Sequence, residues 1–404
     1  MPDEKKRICI VSEFFHPESE TGTGKVVTDI ATLLSKKHGF QVEVICSRRS
    51  YLTGEPYAAR EVWNEIPIRR LNSPNWNRSG TVKRSIANLI LAWKAAMALL
   101  TSGHYDAVLV TTAPPFMPLA AYWLRRLRKT PYVYIIYDLE PDRAMRLGAV
   151  DPNALPSKLL KKAQGKWLRA SSKVVAIGRC MKALIQKEYA VEDGQIEVIA
   201  VGSNEPESLP PNHKNGASKF HISYSGNLGR YHDFDMILDC AKRLPEDQFQ
   251  FTIVGKGAKR EHVETRVRKE AIGSVTVKNP LPKAEYEKLL ADTDACLVTL
   301  EDGIEGTCVP SKFYSILSAG RSTLAIANPE SEIAYVLEES ECGVRVSPGD
   351  SEGLFTTLMK LNEDRLICKK QGDAARRVFV EKYSTQESVA QLAAILKNVI
   401  GSKV

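Results

Sequence analysis

HISYSGNLGR, residues 221–230, and QFTIVGKG, residues 250–257, each run from a short apolar strand pattern into a glycine-rich turn. Between them, residues 235–244 carry the apolar spacing of a helix. A strand, a helix and a second strand in this order predict a parallel βαβ unit. The two turns should therefore lie side by side at the carboxyl ends of neighbouring strands.

The same alternation of strand and helix patterns occupies residues 8–177 and 221–346. Between these series, residues 201–218 (VGSNEPESLPPNHKNGAS) are rich in proline and polar turn formers and read as a linker. We predict an α/β protein with two doubly wound, Rossmann-like domains, residues 1–205 and 219–380, and a C-terminal helix at 381–404 that packs towards the first domain. Because such sheets bind ligands beyond the carboxyl ends of their strands, we expect the site in a cleft between facing domains.

Composition excludes several classes of protein. The 404 residues are 43% hydrophobic and 26% charged, which is typical of globular proteins. The longest apolar stretch, Ile86–Leu100, is shorter than the roughly 20 residues that span a bilayer. The N-terminus carries no apolar signal segment, so we expect a cytoplasmic protein. The eight cysteines show no metal-binding spacing, and we expect no bound metal.

Positive charge is concentrated in the first half of the chain. Residues 1–200 contain 30 basic and 19 acidic residues, whereas residues 201–404 contain 26 and 29. No nucleic-acid-binding motif accompanies this charge, so we predict no nucleic-acid partner. A helix pattern at 82–100 carries Trp93 and Met97 beside lysines, which indicates contact with an anionic membrane surface. The same pattern is also typical of a core helix with solvated lysines, and both alternatives stay open.

Two segments have the form of anion-binding turns. Gly22 and Thr23 precede a helix, where backbone N–H groups can face a phosphate, although the following residues do not form a Walker loop. In the second half, Arg230 ends the first glycine-rich turn and Lys256 lies within the second. A strand-to-helix turn and a solvated loop arginine are the alternatives.

The segment EDGIEGTCVPSKFYSILSAG, residues 301–320, places a lysine at a helix start. Ser311 is a predicted N-cap, Lys312 begins the helix and Gly320 ends it. The helix dipole and the lysine would meet at one point, which suits a diphosphate without a bound metal. The alternative is a capped helix with a surface lysine.

Taken together, the motifs F-H-P-x(4)-G-x-G-K (15–25), YSGNLGR (224–230), VGKG (254–257) and PSKFYSILSAG (310–320) resemble the retaining glycosyltransferase family 4 with the GT-B fold. The resemblance is strongest to its branch for bacterial capsule, exopolysaccharide and O-antigen synthesis. It implies that the segment 137–150, YDLEPDRAMRLGAV, lies on the acceptor side.

The chain departs from the family pattern at several positions. Two glutamates of the family fall on Thr307 and Ser315, and Glu305 is the nearest candidate to replace the ribose contact. An Arg and a Lys of the family fall on Asn227 and His232. A histidine common in the family is replaced by Tyr137.

The resemblance implies retaining transfer of a sugar from a nucleotide-diphosphate donor, most simply a UDP-sugar, to a glycan or polyprenyl-diphosphate-linked acceptor in cell-surface polysaccharide synthesis. The enzyme would be peripheral at the inner membrane face and metal-independent, with no cofactor. A non-hydrolysing nucleotide-sugar epimerase and a weakly active nucleotide-sugar-binding scaffold are the alternatives. The predicted catalytic residues are Arg230, Lys312, Asp138 and His16. The predicted donor-binding residues are Gly22, Thr23, Gly226, Asn227, Gly255, Gly257, Leu281, Glu305, Thr307, Pro310, Ser311 and Ser315.

Overall fold

The computed structural model describes residues 5–18, 22–51, 53–74, 81–206, 218–229, 232–300 and 302–402, with the side chain of Thr81 excepted. The chain divides into two compact units. The first comprises Met1–Val201, Gly306–Cys308 and Thr385–Val404, and the second comprises Gly202–Glu305 and Val309–Ser384. Residues 306–308, which the sequence places inside the second domain, therefore group with the first.

The first unit is built on a sheet with the strand order β3-β4-β2-β1-β5-β6-β7-β8. Its strands are β1 (Arg7–Val11), β2 (Gln41–Ser47), β3 (Arg60–Trp63), β4 (Ile66–Leu71), β5 (Ala107–Thr111), β6 (Tyr132–Ile136), β7 (Lys173–Ala176) and β8 (Ile196–Val198). All neighbours are parallel except β3 and β4, which form an antiparallel hairpin. Asn64 and Glu65 both have positive φ in its turn, a geometry that the Asn-Glu pair signals less clearly than Asn-Gly.

Six α-helices lie between these strands in the part of the unit that the structure describes. They are α1 (Gly22–Lys36), α2 (Thr81–Thr101), α3 (Pro118–Arg128), α4 (Asp142–Arg146), α5 (Leu155–Ala170) and α6 (Arg179–Tyr189). The steps from β4 to β5, β6 and β7 run in one direction along the sheet, whereas the step from β1 to β2 runs in the other. Because such crossovers are right-handed, α2, α3 and α5 cover one face of the sheet and α1 covers the opposite face.

The second unit contains a six-stranded parallel sheet with the order β11-β10-β9-β12-β13-β14. Its strands are β9 (Phe220–Ser225), β10 (Phe249–Val254), β11 (Val275–Lys278), β12 (Ala295–Thr299), β13 (Ser322–Ile326) and β14 (Gly343–Val346). Its helices are α7 (Asp235–Arg243), α8 (Arg260–Lys269), α9 (Lys283–Ala291), α10 (Lys312–Ser318), α11 (Glu332–Ser340), α12 (Ser351–Glu363) and α13 (Leu366–Val378). The predicted two-domain α/β architecture is confirmed.

The last helix, α14 (Thr385–Gly401), follows a π-helical turn at Phe379–Tyr383. Its buried side chains, among them Val389, Leu392 and Leu396, join the core of the first unit. That core lies between the sheet and the helices α1 and α14, which contact each other. Burial of apolar surface at about 25 cal/mol per Å² holds α14 there, although more than 180 residues separate it from β8.

Candidate active site

The two glycine-rich turns of the second unit pack on each other, backbone against backbone. The Gly226 N–H donates to the Val254 carbonyl at 3.0 Å, and the Leu228 N–H donates to the Lys256 carbonyl at 2.7 Å. A Cβ on Gly255 would lie 1.8 Å from the Gly226 oxygen. The turns therefore lie side by side as the sequence predicts, because no side chain separates them.

Gly257 packs as closely on the neighbouring turn as Gly255 does. A Cβ there would lie 2.3 Å from the Leu228 oxygen and 2.6 Å from Asn227 Oδ1, and its φ of +149° belongs to the glycine region. The space beside Gly255 and Gly257 is thus filled by the neighbouring turn. This packing explains why both residues are glycine, and their contact with a donor stays a prediction.

Lys312 at the start of α10 reaches the end of β9. Its Nζ donates a hydrogen bond to the Tyr224 hydroxyl at 2.6 Å and lies 3.8 Å from the centre of the Tyr224 ring. The same Nζ would lie 3.4 Å from a Cβ on Gly226. Because Gly226 has no side chain, the Lys312 side chain has room to reach the end of β9.

The Lys312 ammonium group is half-buried without a counter-charge. Within the described ranges its hydrogen bond goes to a neutral hydroxyl, and no carboxylate lies within 4.0 Å of it. Burial lowers the pKa of Lys312 well below its usual value. Since an isolated buried charge is costly, an anion bound here would stabilise the protonated lysine.

His232 lies beside this lysine and carries no charge at neutral pH. The imidazole is buried, and Nδ1–H donates to the Thr299 carbonyl at 2.5 Å. Burial, and then the positive charge of Lys312, lower the pKa of His232 to about 3. The position where the family has a lysine therefore supplies no cation in this chain.

A second lysine that the sequence analysis did not single out lies near the same turn. Lys259 Nζ donates to the His232 carbonyl at 2.8 Å, and the Lys259 N–H donates to the Leu228 carbonyl at 2.9 Å. The signal was present in its position, two residues after Gly257 and directly before α8. Arg230, the other predicted cation, lies outside the described residues.

The ends of α10 match the sequence expectation only in part. Ser311 is the residue before the helix, as predicted, but it has helical backbone angles and its side chain makes no capping hydrogen bond. At the other end Gly320 has φ +62°, and the Arg321 N–H donates to the Ile316 carbonyl at 3.2 Å. This is the 6→1 hydrogen bond of a Schellman ending.

Four further residues of the second unit were predicted to bind the donor, and two of them make side-chain hydrogen bonds. Ser315 Oγ lies 3.2 Å from Ser203 Oγ, so a hydroxyl pair occupies the position where the family has a glutamate. The Glu305 carboxylate accepts from the Gly303 N–H at 3.1 Å. Leu281, between β11 and α9, and Pro310, before α10, are half-buried.

Thr307 belongs to the first unit and is fully buried. Its carbonyl accepts from the Leu139 N–H at 2.8 Å, and the adjacent Cys308 forms an antiparallel bridge with Asp138. A Cβ on Gly306 would lie 2.7 Å from the Cys180 oxygen. These contacts tie the segment to the 138–139 loop, a distant pairing that no pattern in the sequence signals. The donor-binding role of Thr307 stays a prediction.

The predicted acceptor residue Asp138 is held by an arginine. Arg143 lies 2.6 Å from its carboxylate and 2.9 Å from that of Glu140. Burial raises the pKa of Asp138, while Arg143 acts in the opposite direction. The structure thus presents Asp138 as half of an ion pair.

His16 packs against the hairpin of the first unit. Its ring stacks on Trp63 at 4.4 Å, and its carbonyl accepts from Arg70 at 2.7 Å. Burial lowers the pKa of His16, with Glu61 opposing and Arg70 adding to the shift. A neutral imidazole therefore lies near the carboxyl end of β1.

The predicted turn at Gly22 and Thr23 is the first turn of α1. A Cβ on Gly22 would meet open space, so packing among the described residues does not require glycine there. Within the same residues, no group of three or more His, Cys, Asp and Glu side chains is placed to hold a metal ion.

Comparison with known proteins gives two family matches. Residues 21–202 match the family described as "Glycosyl transferase 4-like domain", and residues 219–364 match "Glycosyl transferases group 1". The chain is 25% identical over 336 residues to the probable glycosyltransferase WbjE of Pseudomonas aeruginosa, covering 81% of this chain and 83% of that protein. It is 26% identical over 172 residues to the putative colanic acid biosynthesis glycosyl transferase WcaI of Escherichia coli K12, covering 42% and 40%.

Solved structures share the fold at low sequence identity. Sucrose-phosphate synthase from Thermosynechococcus elongatus superimposes with a TM-score of 0.78 at 16% identity, covering 98% of this chain and all of that one. HepE of Anabaena in complex with UDP gives a TM-score of 0.71 at 13% identity, covering 97% and 100%.

Proposed function

The chain belongs to the glycosyltransferases of the GT-B fold, with a glycosyl transferase 4-like domain followed by a group 1 domain, and from this premise we propose that it is a retaining enzyme of cell-surface polysaccharide synthesis. Its donor would be a UDP-linked sugar, and its acceptor a glycan or a polyprenyl-diphosphate-linked sugar. The complex of HepE with UDP supports the donor, and the likeness to WcaI supports the pathway class.

The single observation that carries the donor assignment is Lys312. A half-buried ammonium group without a carboxylate partner in the described ranges is a place for an anion. During glycosyl transfer, negative charge grows on the departing diphosphate, and stabilising it is usually the largest catalytic contribution. Lys312 would supply this charge together with Arg230, without a bound metal.

Retention would follow if the acceptor hydroxyl attacks from the face that the diphosphate leaves. The acceptor oxygen bonds to the anomeric carbon, the bond to the diphosphate oxygen breaks, and the proton passes to that oxygen. This route needs no strong protein base. His16 and the Asp138–Arg143 pair would orient the acceptor sugar, since both lie beyond the carboxyl ends of strands in the first sheet.

Titration calorimetry with UDP, ADP and GDP tests the donor site. We expect selective binding of UDP, and we expect Lys312→Ala to weaken it at least about tenfold, because a charge-assisted contact is lost. Lys269→Ala, an exposed lysine of α8, is the matched control and should bind like wild type. Equal affinity of both variants would contradict the assignment.

We also propose that the first unit docks on an anionic membrane surface. No helix in the described residues is both long and apolar enough to cross a bilayer. The exposed positions of α2 from residue 86 to 97 are nevertheless all apolar: Ile86, Leu89, Trp93 and Met97. Their spacing of three or four residues forms one stripe along the helix.

Neighbouring helices also expose apolar side chains. α3 packs against α2 and exposes Trp123 and Leu127 beside Arg126 and Arg128. α5 packs against α3 and exposes Leu155 and Leu159, followed by basic residues at 162, 166 and 169. Apolar side chains with flanking cations are what an interface of anionic lipids binds.

Vesicle sedimentation tests this surface. We expect binding to vesicles of phosphatidylglycerol and phosphatidylethanolamine and little binding to pure phosphatidylcholine. Leu89→Gln with Trp93→Gln should lower the bound fraction severalfold, whereas Leu366→Gln, an equally exposed leucine of the second unit, should not. Unchanged binding of the double variant would reject the stripe as the contact.

A further inference from the structure

Glu13 is a carboxylate that the reaction outlined above does not use. It follows β1, and its backbone joins three strand ends of the first sheet. The Glu13 N–H donates to the Ala113 carbonyl at 2.6 Å, just beyond β5, and its carbonyl accepts from the Ser47 N–H at 3.0 Å, at the end of β2. Glu13 therefore lies at the centre of the carboxyl edge, where parallel sheets bind ligands.

The side chain of Glu13 is half-buried and has no hydrogen-bond or ion-pair partner among the described residues. The neighbouring acids differ from it in this respect. Glu18 accepts from the Tyr57 hydroxyl at 2.6 Å, and Asp138 is paired with Arg143. An unpartnered carboxylate at a ligand-binding edge is available to accept hydrogen bonds from a ligand.

The same edge holds the residues predicted for the acceptor side. Strands β1, β5 and β6 are successive in the sheet, and Thr112, after β5, accepts at its hydroxyl from the Asp138 N–H at 3.3 Å. Glu13 thus lies one strand from Thr112 and two from Asp138. We propose that the Glu13 carboxylate binds a hydroxyl group of the acceptor sugar, an inference that rests on the proposed transferase function.

Ionisation of Glu13 would then govern acceptor binding near neutral pH. Burial raises the pKa of Glu13 to about 7, with Arg84 of α2 opposing the shift and Glu18 adding to it. These are the charged groups that act on it from the described residues. Above this pH the carboxylate accepts hydroxyl hydrogen bonds; below it the protonated acid accepts more weakly, so affinity for the acceptor should fall.

The test compares transfer with donor hydrolysis. The probes are octyl glycosides as acceptors and the UDP-sugar that wild type uses fastest, with release of free sugar to water measured in parallel. We expect Glu13→Gln to raise the KM for the octyl glycoside at pH 8 at least about tenfold, as loss of a charge-assisted hydrogen bond implies. The KM for the donor and the hydrolysis rate should stay at wild-type values.

The pH profile separates ligand binding from a structural role. In wild type the acceptor KM should fall as pH rises through about 7, and in Glu13→Gln it should be flat. Glu43→Gln is the matched control, because Glu43 is a half-buried glutamate of the same sheet that pairs with Arg7 at 2.8 Å. If the Glu13→Gln variant shows the same pH profile as wild type, the assignment of Glu13 alone is overturned. If the wild-type protein neither transfers nor hydrolyses any UDP-sugar, the proposed transferase function is overturned.

Discussion

The carboxyl edges of the two sheets have the same backbone design and opposite charge. At the second sheet, Lys312 stands without a carboxylate in the described residues, beside a histidine that stays neutral. At the first sheet, Glu13, Asp138 and Glu140 bring carboxylates, with Arg143 between the last two. The parallel fold fixes where ligands bind, and the side chains decide whether the edge suits a diphosphate or sugar hydroxyls.

Removing the positive charge of Lys312 should have the largest effect on activity. We expect Lys312→Ala to lower the transfer rate roughly 100-fold, because such a group supplies a few kcal/mol to the leaving diphosphate. Arg230→Ala should have an effect of the same size. Turnover with the UDP-sugar is the measurement, and near-normal rates in both variants would reject the proposed donor site.

A side chain between the two packed glycine-rich turns should destabilise the second unit. Gly255→Ala would place a methyl group 1.8 Å from the Gly226 oxygen, so we expect a loss of about 2 kcal/mol or more in the free energy of unfolding. Gly22→Ala in the first unit is the control, since its Cβ meets open space. Denaturant titration checks both, and equal stability of the two variants would contradict the packing described.

Nucleotide binding should be accompanied by proton uptake at the second sheet. Burial holds the pKa of Lys312 well below its usual value, and a bound diphosphate would raise it again. Between these two values the free lysine is neutral and the bound one is charged, so binding takes up protons. Calorimetry in buffers of different ionisation enthalpy measures the uptake, and we expect it to vanish in Lys312→Arg.

The smallest effect is expected at the first sheet. Asp138 is 40% exposed at its side chain, and Arg143 keeps Glu140 as a partner. We therefore expect Asp138→Asn to change the free energy of unfolding by less than about 1 kcal/mol. Thermal unfolding checks this, and a loss above about 3 kcal/mol would show that the pair holds the loop in place.

Sequence reasoning reaches local and periodic features well. The strand and helix alternation predicted both sheets, and the glycine at 320 marked the end of α10, because these signals lie in adjacent residues. It could not find the bridge between Asp138 and Cys308, since 170 residues separate them and no pattern links them. The sequence placed Ser311 directly before α10, but it did not reveal the helical backbone angles of this residue or the lack of a capping hydrogen bond from its side chain.

The exposed stripe of α2 shows the same limit. The sequence indicated an apolar helix beside lysines and left a core helix and a membrane helix open. Packing of α2 on α3 and on the sheet decides which of its apolar side chains are buried. In the fold Leu89 and Trp93 stay exposed, which the sequence pattern does not show. The neutrality of His232 likewise follows from burial, which the sequence does not contain.

The most direct measurement is the affinity of wild type and Lys312→Ala for uridine, UMP and UDP under identical conditions. If Lys312 binds the diphosphate, the substitution should lower the affinity for uridine least and the affinity for UDP most, with UMP between them. An equal loss for uridine and UDP would mean that the lysine supports the pocket without contacting the phosphates, and the charge contrast between the two sheets would fail.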